Sequence, residues 1–144
     1  MDKLELNIEN QFLGSGWSFP VTFRKETNTL AISKYIDNVN QSIFIINNTN
    51  FGERCLLPTF GSVLQQFVFR VVDDTLFGEI ADALRTSLLH NEPRIKVDDI
   101  DISVSDTQST TLNIIVYYTF NETNSRHNYV YPFHLNEGTN LSDV

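Results

Sequence analysis

Cysteine is almost missing from this 144-residue chain: Cys55 stands alone, which excludes an intrachain disulfide framework. Its neighbours Leu56 and Leu57 are apolar, so the expectation is a buried, inert thiol rather than a nucleophile. Positive charge is also scarce. Ten Lys and Arg stand against eighteen Asp and Glu, a net charge of −8, and they are scattered from Lys3 to Arg126 without a basic stripe. Such a chain has little with which to grip a phosphate backbone, so no nucleic-acid partner is expected. Long apolar runs are missing too: stretches such as Ile43-Phe44-Ile45-Ile46 are far too short to span a bilayer. No apolar run follows Met1-Asp2-Lys3-Leu4-Glu5, so a signal peptide is not expected, and folding in a reducing cytoplasm is. The sequons at Asn40, Asn47, Asn121 and Asn140 then read as accidents of an Asn-rich composition.

What is present suits one globular domain. Hydrophobic residues make up 41% and charged residues 19%, enough for a real core at this length. The expected organisation is a polar arm over residues 1–11, a domain over 12–136 and a tail over 137–144. Phe12 to Trp17 reads as a glycine-punctuated turn. Phe19, Val21 and Phe23 alternate with Pro20 and Thr22, predicting a short strand with Pro20 at its beginning or edge. Ile32, Ile36, Val39, Ile43 and Ile46 form a helical stripe. A helix is predicted over 37–47, capped near Asp37 or Asn38, whereas Thr29 to Ile32 reads equally well as extended. Val63 to Phe69 reads as a short helical turn. Asp73 and Asp74 cap a second helix bearing Phe77, Ile80, Ala81, Leu84 and Leu88 on one face, and Pro93 ends it.

Three strands follow. Ile95 and Val97 have one phase and Ile100, Ile102 and Val104 the other, which predicts a bulge near Asp98-Asp99. Leu112 to Phe120 is apolar on both phases, so its centre is expected to be covered on both faces. Tyr129, Tyr131, Phe133 and Leu135 alternate with polar neighbours, and Pro132 among them favours an edge strand. Turn residues at 105–109 and 121–125 make the three an antiparallel meander. The fold class is therefore α+β: two main helices packed on a small, mostly antiparallel sheet with a C-terminal three-strand meander.

Catalytic signatures are sparse. His90, His127 and His134 lack metal-ligand spacing with each other or with Cys55, so neither a metal nor a cofactor is expected. No Ser lies in a Gly-x-Ser-x-Gly elbow. Glu53 and Glu92 are the acids with restrained placement, yet each has an Arg close by, Arg54 and Arg94. Such a neighbour lowers a carboxyl pKa, whereas a general acid needs it raised. Two readings of Glu92 and Arg94 stand side by side: local helix-end and strand-start charges, or an ion-pair network joining two elements.

Several short motifs occur together in order: Asn40-Gln41-Ser42-Ile43, Gly52-Glu53-Arg54, Pro58-Thr59-Phe60-Gly61, the helix from about Asp74, Glu92-Pro93-Arg94 and Tyr129-Val130-Tyr131-Pro132. From about Phe12 to Leu135 the chain resembles the phage protein W family, small baseplate-wedge subunits of contractile tails. Relatives include the E subunit of type VI secretion baseplates and subunits of extracellular contractile injection particles. The resemblance implies a nonenzymatic structural subunit, assembled in the cytoplasm into the baseplate of a phage tail or tail-like particle. It would link wedge proteins to the first sheath layer and template the sheath, with tube or spike-hub proteins as further candidate partners. No membrane insertion is implied. The match carries over Gly52, Glu53, Arg54, Pro58, Phe60, Gly61, Glu92, Pro93 and Arg94 as interface or structural positions. Cys55, Leu57 and Thr59 depart from the pattern. Some members are labelled lysozyme-like, so a small peptidoglycan hydrolase is the alternative, and a binding domain outside any injection machine is a third reading. Replacing Arg94 with Ala is expected to leave the monomer folded and stop particle assembly.

Overall fold

The computed structural model describes residues 13–105 and 110–135. The predicted arm and tail, and most of the turn at 105–109, lie outside these residues. In chain order the elements are β1 (Ser15–Trp17), β2 (Phe23–Arg24), β3 (Thr29–Leu30), β4 (Ile32–Lys34), helix α1 (Tyr35–Asn48), a 3-10 turn (Leu64–Phe67), helix α2 (Asp74–Asn91), β5 (Ile95–Val104), β6 (Thr111–Phe120) and β7 (Arg126–His134). The expected α+β arrangement with its C-terminal meander is present. β5, β6 and β7 form one antiparallel sheet in that order, while β1 pairs with β4 and β2 with β3 in two small ribbons.

The periodicities explain the core. Val39, Ile43 and Ile46 of α1 meet Leu76, Ile80, Leu84 and Leu88 of α2, and both helices cover Leu112, Ile114, Val116, Tyr118 and Phe120 of β6 with Tyr131 and Phe133 of β7. Asp73 caps α2, its carboxylate accepting from the Leu76 N–H at 2.6 Å. The bulge falls between Val97 and Asp99, where the two apolar phases of β5 require it. Pro132 lies on β7, an edge strand, opposite Asn113.

Four local expectations are corrected. Phe19 to Phe23 is not a strand, and only Phe23 enters one. The hydroxyls of Ser18 and Thr22 both donate to the Pro20 carbonyl and turn the chain there. Ser15 to Trp17, read as part of a turn, pairs with β4, and the turn is confined to Gly14 at φ +68°. Helix α1 begins at Tyr35 after an extended Lys34, without a side-chain cap, because Asn38 is engaged elsewhere. Finally, β6 is buried on one face alone: Tyr117 is exposed and Ile115 half-buried on the other.

Candidate assembly surface around the two charged motifs

Helix α1 carries small polar residues at Asn38 and Ser42, on a face separate from its buried stripe, and Thr49 follows as its C-cap. Together with Gln41 and Ile45 they floor a cleft of about 600 Å³. Trp17 and Phe19 form one wall, and Glu53, Arg54, Phe60 and Arg94 form the other. Phe19 is fixed there because its N–H donates to Gln41 Oε1 at 3.1 Å and its ring lies 5.8 Å from that of Phe44. Trp17 is held by β1 against β4 yet remains 72% exposed.

At the base of the cleft, Glu92 caps the C-terminus of α2 and is 2% exposed. Arg94 meets it with a two-pronged fork: Nε donates to Oε1 at 2.7 Å and Nη2 to Oε2 at 2.6 Å. The remaining nitrogen, Nη1, donates to the Leu13 carbonyl and to Asn38 Oδ1, both at 2.9 Å. One guanidinium thus ties the α2–β5 junction to α1 and to the chain leading into β1. Burial alone raises the Glu92 pKa, but hydrogen bonds from Arg94 and Ser42 and the Arg94 charge outweigh it and hold the carboxyl below its usual range. Of the two readings offered by the sequence, the network joining elements is the one realised. The expectation that Arg94→Ala leaves an intact monomer changes accordingly. Truncation strands a buried carboxylate, a loss of roughly 3 kcal/mol.

The Gly-Glu-Arg motif is built differently. Gly52, at φ +82°, donates its N–H to the Pro58 carbonyl at 2.7 Å. Glu53 Oε2 accepts from the Asn50 N–H at 2.8 Å, and the Arg54 guanidinium stacks 4.4 Å above the Phe60 ring. Gly61 passes so close to the backbone that a Cβ there would stand 2.2 Å from the Thr49 carbonyl oxygen. Its own carbonyl accepts from Ser87 Oγ and, at 3.2 Å, from Asn91 Nδ2 on α2. Cys55, expected to be buried, is exposed. Its apolar neighbours lie on the surface as well.

The cleft therefore gathers Glu53, Arg54, Phe60 and Arg94, with Glu92 beneath. Gly52, Pro58 and Gly61 shape the loop that carries the first motif, and Pro93 is exposed, its carbonyl accepting from Asn121 Nδ2. Sequence reasoning did not single out Trp17, Phe19 or Asn38 as site residues. The spacing of Asn38 and Ser42, one helical face apart from the apolar stripe, was the available signal. No group of His, Cys, Asp and Glu among the described residues is arranged to hold a metal ion.

The sequence profile of the family described as baseplate wedge protein gp25 matches residues 33–125, well over half of the chain and across both motifs. The chain belongs to this family of baseplate wedge proteins. A crystal structure of a candidate tail lysozyme from Geobacter sulfurreducens is similar at 34% identity and a TM-score of 0.68, covering 76% of this chain and 98% of that one. A chain of the anti-feeding prophage baseplate, solved by cryo-electron microscopy, shares the fold at 23% identity and a TM-score of 0.65, covering 90% of this chain and 92% of that one. No curated protein sequence matches significantly. The resemblance to the protein W family is borne out, and with it a structural role among other baseplate components.

Proposed function

We propose that this wedge-family chain links other wedge proteins to the first sheath layer of a tail-like particle and offers its sheet as a template for sheath polymerisation. The observation that carries this reading is the β5–β6–β7 sheet, a three-stranded layer with two edge strands of ten and nine residues. An edge strand presents main-chain donors and acceptors on which an incoming strand can pair, with side chains setting register. The cleft around Arg54 and Arg94 lies apart from the sheet and suits a second contact, with wedge partners. Assembly in the cytoplasm before release of the particle follows from the same reading. Likeness to a protein described as a candidate tail lysozyme makes hydrolysis the competing reading. Glu92 argues against it, being buried, forked by Arg94 and held ionised, the opposite of a general acid.

Deleting the chain from a particle-producing strain tests the proposal. Tubes and baseplates lacking an ordered sheath are expected, with sheath restored by the wild-type chain. Sheathed particles from the deletion strain, or peptidoglycan turnover by the purified chain that Glu53→Gln abolishes, would overturn it.

A further inference from the structure

The two outer strands of the sheet differ in what their main chain offers. β5 pairs with β6 in regular antiparallel register over residues 99–104, and just beyond it the Ser105 N–H donates to the Thr111 carbonyl at 2.8 Å. Facing pairs in such a ladder alternate between bonded and unbonded, so Asp99, Asp101 and Ser103 bond β6 through the main chain. The main-chain groups of Ile100, Ile102 and Val104 therefore point away from β6. Asp99 Oδ1 accepts the Ile100 N–H at 2.9 Å, which leaves the donors of Ile102 and Val104 to face outward without a partner among the described residues. The same alternation governs β7, where the Leu135 N–H donates to the Thr110 carbonyl at 2.9 Å. There the outward positions include Asn128, Val130, Pro132 and His134, and Pro132 breaks the row of donors.

The side chains differ as well. On the core side of β7 and just past its end, Tyr131, Phe133 and Leu135 are buried, so the core is complete there. On the core side of β5, Ile100 and Ile102 are half-buried and Val104 is 40% exposed, so the apolar layer is unfinished along this edge. The other side of β5 carries Asp99 and Asp101, both exposed, with Asp98 at the bulge and Lys96 as the one cation of the strand. We infer that β5, over residues 100–104, is the edge that receives the added strand, and that this strand alternates apolar residues beside Ile100, Ile102 and Val104 with Lys or Arg beside Asp99 and Asp101. Each half of the pattern has its own cause. An apolar residue beside Ile102 takes exposed apolar surface out of water and finishes the core. A cation across from an aspartate stabilises a strand pair, whereas an acidic strand would set like charges side by side. This rests on the reading of the sheet as a template, and adds which edge is used and which sequence that edge selects.

Two proline variants separate the edges. Val104→Pro removes an outward donor of β5 and Val130→Pro one of β7, each outside the ladder to β6. Both are supplied as full chains to a particle-producing strain that lacks the wild-type chain, and sheathed particles are counted per baseplate containing the variant. Val104→Pro is expected to reduce sheathing at least tenfold, and Val130→Pro to leave it at the wild-type level. Asp101→Lys changes an exposed side chain without touching the ladder, so it should keep the wild-type melting temperature and still reduce sheathing at least tenfold. Asp101→Glu should sheath normally. Loss of sheath with Val130→Pro would put the strand on β7 and overturn the inference while the template reading stands. Normal sheathing by Asp101→Lys, or by Val104→Pro, would overturn it too. Normal sheathing by both proline variants and by Asp101→Lys would overturn the template reading itself.

Discussion

Glu92 and Arg94 determine how the motif they belong to can be tested. The pair is a structural tie before it is anything else, because one guanidinium serves a carboxylate, a main-chain carbonyl and the Asn38 amide oxygen together. Arg94→Ala should lower the unfolding free energy by roughly 3 kcal/mol at neutral pH, read by urea denaturation. The pH dependence has a definite sign. The folded state holds the Glu92 carboxyl below its unfolded value, so the stabilisation is present above the ordinary carboxylate range and is lost as pH falls through the folded value. In Arg94→Ala the stranded carboxylate is relieved by protonation, so the gap to wild type should narrow at pH 4. A constant gap would mean that Arg94 acts through packing and not through Glu92. Gly61 supplies a second residue-scale test. Gly61→Ala would bring a Cβ against the Thr49 carbonyl at a φ of +114°, and should cost about 2 kcal/mol or more of stability. Wild-type melting behaviour in that variant would show that the loop neck can relax.

At the scale of elements, α1 is docked to the sheet by its asparagines as well as by its apolar stripe. The Tyr118 hydroxyl donates to Asn40 Oδ1 at 2.8 Å, and the Tyr131 hydroxyl to Asn48 Oδ1 at 3.1 Å. Burial, with smaller contributions from the charges of Glu92 and Tyr129, pushes the Tyr118 phenol up to about 12. An unfolded tyrosine ionises near 10, so the folded state keeps a proton that the unfolded state has lost, and stability should fall by roughly 3 kcal/mol as pH rises between the two values. Tyr118→Phe should flatten that alkaline slope and cost about 1 kcal/mol at pH 7. An unchanged slope would assign the effect to another group.

The same elements show what a sequence reveals and where it stops. α2 was readable because Asp73, the apolar face and Pro93 each act locally, and the β5 bulge because a change of phase leaves no other regular solution. The start of α1 was not readable, since Asn38, which looks like a cap, is used by Arg94 from 56 residues away. Burial of Cys55 was misread for a related reason. Apolar neighbours in sequence say nothing about whether a loop turns its tip outward. The nine carried-over positions were legible as motifs, but not that four would line one cleft while Gly52 and Gly61 shape a loop behind it.

For the whole molecule the central question is how a sheet whose two outer strands have no further strand partner among the described residues avoids random growth. Both edges carry obstacles. β7 has Pro132, which offers no N–H, and β5 has the Val97/Asp99 irregularity with Asp98, Asp99 and Asp101 clustered about it. Charges, bulges and proline at an edge exclude most strands while leaving room for one of matched register and sign. The proposed sheath contact therefore makes a prediction that a contact at the cleft cannot mimic. Hydrogen exchange compared between the free chain and sheathed particles should show edge amides of β5 or β7 slowing at least tenfold on assembly, whereas those of β6, already paired on both sides, change little. Slowing on β5 would mark a donated strand rich in basic residues, because three aspartates lie on or beside the bulge. If both edges exchange as fast in the sheathed particle as in the free chain, strand addition does not occur and the sheath is nucleated elsewhere.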